Sequence, residues 1–374
     1  MARIVRVDIG RRDYALVGEF KFFKGGARPS VMVRLTDDAG REGYGQAVPV
    51  ETWTYETVES VATTLTHYLA PAMLGADPAD LAGVHARMES AIRPSFSVGQ
   101  PLAKAAIDLA CHDLWGKAQG QPVCELLGGR LADEVRLSWT INPSSLAQAE
   151  KLLEEGRSQG YANFNIKLGP PQATAFDLEL VRLVTRFSPA GFHWGDANTG
   201  YTLAVALEQA PKLADLGLRA LESPLPPNRI RDYQRLKSQG ALPILMDEGL
   251  VSAVEAEEFA ALGMFDGIAM KVARCGGLWH AWRMVEVLRR AGLALYASGL
   301  TDPEFSLAAS VQLFAAAGLT LPAALNGPQY LEGRGTADTA FRAVRDVIRV
   351  PTAPGLGVGP APADLKSLAM AAQA

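Results

Sequence analysis

FNIKLG at 164–169, DANTGY at 196–201, ALESPLPP at 220–227, ILMDEG at 244–249 and IAMKVARCGG at 268–277 form one series. In each, a short apolar run meets a charged residue, and glycine, proline or polar residues follow. The charges are Lys167, Asp196, Glu222, Asp247 and Lys271, at intervals of 29, 26, 25 and 24 positions. Such intervals suit one strand–loop–helix–loop unit each, so every charge falls at the carboxyl end of a strand. In a closed parallel barrel those ends gather at one mouth, where such barrels carry their chemistry.

Working outward, further strands are expected at 135–142, 293–298 and 323–325, with helices at 145–159, 177–187, 202–216, 254–262, 276–292 and 306–317. The barrel is thus expected over 131–348. Residues 1–130 read differently. Apolar and polar residues alternate at 4–9 and 31–35, DDAG at 37–40 is a turn, and 42–47 resumes the extended pattern. Helical periodicity follows near 57–70, 78–91 and 100–119. This is an α+β module. The segment 349–374 is expected to pack back on it, with SLAMAAQA at 367–374 as a fraying end. Two loops, KFFKGGARPS at 21–30 and VPVETWTY at 48–55, mix aromatics with glycine or proline. Composition alone favours mobile surface loops; the sharper reading is a lid, with Phe22, Phe23, Trp53 and Tyr55 over an apolar or ring-bearing group.

The composition is that of an ordinary globular chain: 374 residues, 48% hydrophobic, 20% charged. A net charge of −4 without a basic cluster argues against nucleic acid or an anionic membrane as partner. No run approaches the ~20 apolar residues of a membrane span. Three cysteines, Cys111, Cys124 and Cys275, form no metal or disulfide spacing, and the amino terminus lacks a signal-peptide core. These features lead to the expectation of a cytoplasmic protein.

Asp196, Glu222 and Asp247 are three hard oxygen ligands in successive units. Such a set suits Mg²⁺ or Mn²⁺ and not zinc. A lone Asp after a strand is usually a helix cap, but three in a row shift the balance to a metal. Lys167 and Lys271 flank the carboxylates on either side and could face one another across a bound ligand. That arrangement suits removal of a proton next to a carboxylate, with one lysine as base and the other returning a proton.

At these residues the chain resembles the enolase superfamily, specifically the mandelate racemase / muconate lactonizing enzyme group. The helix and turn AKAAIDLACHDLWGKAQGQPVCELLGG at 103–129 and the five motifs above carry the resemblance. It implies a (β/α)7β TIM-like barrel with an α+β capping domain completed by the C-terminal tail, an essential Mg²⁺ (Mn²⁺ as substitute), and often a homo-oligomer. It also implies Asp196, Glu222 and Asp247 as metal ligands and Lys167 and Lys271 as the acid/base pair. Lys271 resembles the muconate lactonizing branch; the other branch would need a His–Asp dyad. Substrate contacts are expected from Asn165, Asn198, Ser298, Thr301, Asp302, Asn326, Trp53 and Phe23. Three positions depart from the pattern. Asn165 replaces the first lysine of Lys-x-Lys, Thr301 stands where an acid is usual, and strand eight offers Asn326 in place of an acid.

The expected activity is Mg²⁺-dependent abstraction of the α-proton of a small carboxylate through an enediolate. Racemisation or epimerisation comes first, ahead of cycloisomerisation and of syn-elimination by a dehydratase or lyase. A Schiff-base lyase and a barrel that keeps the metal without turnover are the remaining alternatives.

Overall fold

Strands β1 (Ile4–Ala15), β2 (Ala27–Asp37) and β3 (Glu42–Ala47) form an antiparallel meander, as the alternation at the amino terminus predicts. These come from a computed structural model that describes residues 2–18, 22, 26–94, 98–332 and 341–374. Asp37 closes the turn at 37–40 by accepting the N–H groups of Ala39 and Arg41 on its carboxylate. Val31, Val33 and Leu35 turn one face of the sheet to a core shared with Val61, Leu65, Val84 and Ile107 of the following helices. The helix Pro101–Gln119 lies directly on β3. A Cβ at Gly45 would stand 2.0 Å from the Ala106 carbonyl oxygen, and one at Gly43 2.3 Å from that of Ala110. Glycine at both positions is what lets helix and strand approach so closely.

Beyond β4 (Glu134–Arg136) the barrel begins. Its strands are β5 (Trp139–Ile141), β6 (Phe164–Lys167), β7 (His193–Asp196), β8 (Leu221–Glu222), β9 (Ile244–Met246), β10 (Gly267–Met270) and β11 (Ala294–Ala297). They pair in parallel in chain order. The remaining gap is closed by residues 323 and 324. Ala323 N–H donates to Arg136 O at 2.8 Å on one side, and Ala324 N–H to Ala297 O at 2.8 Å on the other. This is the expected eighth strand, reduced to bridging residues. A helix not anticipated from the sequence, Ile230–Gln239, links β8 to β9.

The stretch 135–142 is two strands where one was expected. β4 leaves the barrel and pairs antiparallel with β13 (Val347–Arg349), which also pairs with β12 (Ala343–Val344). Leu137 N–H is taken by Asp346 O and Ser138 N–H by Ala323 O, so the strand divides between two partners. The end of the chain is also not frayed. β14 (Ala369–Gln373) pairs antiparallel with β1, from Arg6↔Gln373 to Ile9↔Ala369. It covers an edge whose N–H and C=O groups would otherwise stand open.

Apolar residues of the barrel strands divide between two cores. Ile166, Leu221, Ile244, Ile268 and Met270 face the helices. Trp194, Ala220, Leu245, Ala269, Tyr296 and Ala324 fill the barrel interior as a separate apolar plug. By strand alternation, the residues two positions further on share the inward face above that plug. Among the described residues no helix is long and apolar enough to cross a membrane.

Candidate active site

Two positions beyond the plug residues lie Asp196, Glu222, Asp247, Lys271, Ser298 and Asn326, in strand order round the mouth. Lys167 lies opposite Asp196 in the β6–β7 register, and Asp196 opposite Glu222 in the next. Asp196, Glu222, Asp247 and Lys271 are at most 2% exposed, and Lys167 is 9% exposed.

The five charges make direct contact. Lys167 Nζ donates to Asp196 Oδ2 at 2.5 Å. Lys271 Nζ donates to Asp247 Oδ2 and stands 3.7 Å from Glu222 Oε1. Trp194 reaches up from the plug to donate its indole N–H to Glu222 Oε2 at 2.8 Å. Asn198 fixes Asp196 with its backbone N–H at 2.9 Å and its side-chain amide at 3.0 Å. Among the described residues no three carboxylate, imidazole or thiolate groups stand together as a preformed metal cage. Lys271 instead bridges Glu222 and Asp247, while Lys167 sits on Asp196.

Burial and mutual repulsion set the electrostatics. Burial first, then the charges of Asp196 and Asp247, push the Glu222 carboxyl up to about 8. Burial would also raise Asp196, but the ammonium groups of Lys167 and Lys271 outweigh it and hold it below the usual range. For Lys271, burial favours the neutral amine, yet Asp247 and Glu222 win and its affinity for the proton is raised. Glu222 Oε1 and Asp247 Oδ1 are buried without a hydrogen-bond partner. Each still faces a cation, Lys271 Nζ at 3.7 Å and Arg274 Nε at 3.3 Å, and buried carboxylate oxygens that lack a hydrogen bond fit an oxygen-seeking cation.

The other expected contacts divide. Asn165 shares the inward face of β6 with Lys167 and is 1% exposed. Ser298 joins β11 to Ala324, and its N–H donates to Met270 O at 2.9 Å. Asn326 lies two residues past the plug residue Ala324 and is 5% exposed. Thr301 is buried with φ +57°. Asn198 (φ +43°), Thr199 (+64°) and Ser223 (+41°) hold the same left-handed region in neighbouring mouth loops. Backbone held there by residues other than glycine is a mark of functional loops. Asp302 turns away: Leu300 N–H at 3.1 Å and the Ser306 hydroxyl at 2.7 Å occupy its two oxygens, so it organises its own loop. Phe23 lies outside the described residues. Trp53 is placed over the mouth, its ring centroid 5.3 Å from Lys271 Nζ.

Arg274 and Thr140 escaped the sequence reading, and Glu248, next to Asp247 in ILMDEG, also enters the site. Arg274 Nε lies 3.3 Å from Asp247 Oδ1, and its Nη1 donates to Trp53 O at 3.3 Å. Glu248 accepts the Asn198 amide at 3.4 Å, and Tyr55 donates its O–H to the Glu248 carbonyl. Thr140 stands opposite Asn165 in the β5–β6 register. Alternation within VRLSWTIN could have placed Thr140. Nothing local distinguishes Arg274 from a solvated charge.

Fold and site together define an enolase-type barrel enzyme with a capping domain. Residues 146–364 match the enolase C-terminal domain-like family, and residues 24–128 the N-terminal domain of the mandelate racemase / muconate lactonizing enzyme family. The chain belongs to that group of the enolase superfamily. It is 30% identical over 334 residues to N-succinylamino acid racemase of Thermus thermophilus, covering 88% of this chain and 87% of that protein. It is 28% identical over 364 residues to muconate cycloisomerase 1 of Rhodococcus opacus, covering 95% of each. The crystal structure of N-succinyl Arg/Lys racemase from Bacillus cereus superposes with a TM-score of 0.90 at 26% identity, over 98% of this chain and 99% of that one.

Proposed function

We propose that this chain is a metal-dependent isomerase, a racemase or epimerase that removes and returns the α-proton of a small carboxylate. The observation that supports it is the pair of buried lysines on opposite sides of one carboxylate cluster. β6 and β10 are four positions apart whichever way the eight-position barrel is followed.

Asp196, Glu222 and Asp247 would hold the cation, and their oxygen-only donor set suits Mg²⁺ or Mn²⁺. When bound, the ion supplies Lewis acidity that draws off charge from a carboxylate as its α-proton leaves. Lys167 serves one face of the α-carbon and Lys271 the other. The lysine that arrives neutral takes the proton, and the ammonium across the site returns one. Trp53 covers Lys271 and excludes water on that side, which strengthens each charge interaction there. Cycloisomerisation and syn-elimination each move a proton on one face of the α-carbon and need only one lysine, whereas two opposed lysines serve transfer between faces. Three buried unpaired thiols, Cys111, Cys124 and Cys275, suit a reducing compartment such as the cytoplasm.

The test is exchange of the substrate α-hydrogen with D₂O, followed by NMR across a set of α-substituted carboxylates. Exchange should stop with EDTA and return with Mg²⁺. No exchange across the set, or EDTA-insensitive turnover that borohydride traps on a lysine, overturns the reading.

A further inference from the structure

The barrel mouth has a charged half and a neutral half. Asp196, Glu222, Asp247 and Lys271 occupy β7 to β10. The arc formed by β5, β6, residues 323–326 and β11 presents Thr140, Asn165, Asn326 and Ser298. The one charged side chain on that arc, Lys167, is turned onto Asp196 at 2.5 Å.

Three atoms of the neutral arc are buried and have no hydrogen-bond partner: Thr140 Oγ1, Asn165 Nδ2 and Asn326 Oδ1. Their residues are 0%, 1% and 5% exposed. Thr140 and Asn165 face each other across the β5–β6 register. The backbone of Thr140 is held tightly, with its N–H donating to Gln329 Oε1 at 3.0 Å and its carbonyl accepting from Gln329 Nε2 at 2.8 Å. Trp139 and Ile141 face the helices, so the Thr140 hydroxyl is directed into the barrel. Buried polar atoms without partners are rare in folded proteins and mark places where a ligand or water completes the bonding.

The chemistry of the missing partner follows from the atoms. Asn165 Nδ2 needs an acceptor, Asn326 Oδ1 needs a donor, and the Thr140 hydroxyl serves either. A carboxylate offers acceptors alone, and a carboxamide offers both. We propose that this arc is the pocket for the substrate's substituent, and that it takes a neutral carboxamide in preference to a second carboxylate. The proposal rests on the proton-transfer reading above and adds the substrate class.

The test begins with an amino-acid scaffold that already exchanges its α-hydrogen in the preceding experiment, so failure of that reading is detected first. The scaffold is N-acylated with a succinamoyl, a succinyl or a 4-methylpentanoyl group, which end in a carboxamide, a carboxylate and an apolar isostere. kcat/KM for exchange should favour the carboxamide over the carboxylate by about tenfold or more. Asn165→Leu should lower the carboxamide-to-isostere ratio about tenfold, and Thr140→Val, which keeps the side-chain shape, should lower it in the same direction. Thermal melting shows that each variant is folded. Preference for the carboxylate, or ratios that neither variant moves because water alone fills the arc, overturns the proposal.

Discussion

The indole of Trp53 lies over the ammonium of Lys271, with Nζ 5.3 Å from the ring centroid. The same ring is stacked on Phe22, centroids 4.3 Å apart and planes 7° from parallel. Arg274 holds the Trp53 carbonyl and lies beside Asp247, so the loop at 48–55 is tied to the barrel next to Lys271. A cation over an indole face gains about 0.5–2 kcal/mol, more when desolvated. Trp53→Ala should therefore lower kcat for exchange about tenfold, and Trp53→Phe by less. Accelerated acylation of Lys271, read by mass spectrometry, would show that the ring shields it. Unchanged kcat and acylation in Trp53→Ala would refute the link.

Lysine replacement separates the two faces. On the proposed chemistry, Lys167→Met and Lys271→Met each abolish interconversion, by about 10²–10⁴-fold as for loss of a general acid or base. Each variant should still exchange the α-hydrogen of one enantiomer, and the two variants should spare opposite enantiomers. Chiral chromatography with deuterium counting checks this. Sparing of the same enantiomer by both would place the lysines on one face.

Lys271→Met also predicts a stability change. It leaves Asp247 and Glu222 buried without their shared cation, and loss of one partner from a buried pair costs about 3–5 kcal/mol. Added Mg²⁺ should recover much of that loss. Chemical denaturation with and without the ion measures it.

The raised Glu222 carboxyl sets a pH dependence for the metal-free protein. Its ordinary value is 4.5 and its folded value about 8, so between these the folded chain keeps a proton that the unfolded chain has released. Stability from this group therefore falls as pH rises from 4.5 to about 8, and is level above. Asp196 is held below its ordinary 3.8, so its contribution changes only in more acid solution. The melting temperature of the metal-free protein should decline across that window. The gain on adding Mg²⁺ should grow across it, and Glu222→Gln should flatten both trends. A metal-induced gain independent of pH would contradict this origin.

Asp108 provides a test of how the two domains are joined. From within the helix Pro101–Gln119 its Oδ1 accepts the Leu278 N–H at 2.5 Å, at the start of the helix Leu278–Ala291. His85 Nε2 lies 2.8 Å from Oδ2, and His112 Nδ1 3.3 Å from Oδ1. A Cβ at Gly277, where φ is +107°, would stand 2.2 Å from Asp108 Oδ1. Asp108→Ala should cost about 3 kcal/mol through the lost buried pair, and Gly277→Ala should destabilise through strain and collision at once. Calorimetric melting of both variants checks the prediction.

Much of the fold was legible because barrel units are local. Strand, loop and helix recur about every 25 residues, and each strand end carries its own punctuation of glycine, proline or charge. The even steps from Lys167 to Lys271 needed no knowledge of distant partners. The split of 135–142 was not legible, because the residues that divide it, Ala323 and Asp346, lie some two hundred positions away. The edge strand β14 was missed for a similar reason. Ala-Met-Ala-Ala-Gln shows no strand signal until β1 offers it an open edge.

At the candidate site, sequence alone determined which side chains could meet: period two along each strand assigned the inward residues, and chain order assigned their sequence round the mouth. Only tertiary structure decided what each one touches. It turned Asp302 onto its own loop, brought Arg274 and Trp53 to Lys271, and let that lysine bridge Glu222 and Asp247. The physical reason is that closing the barrel and docking the cap bring together residues far apart in the chain. It also buries them, and burial makes each unpaired oxygen and each charge count.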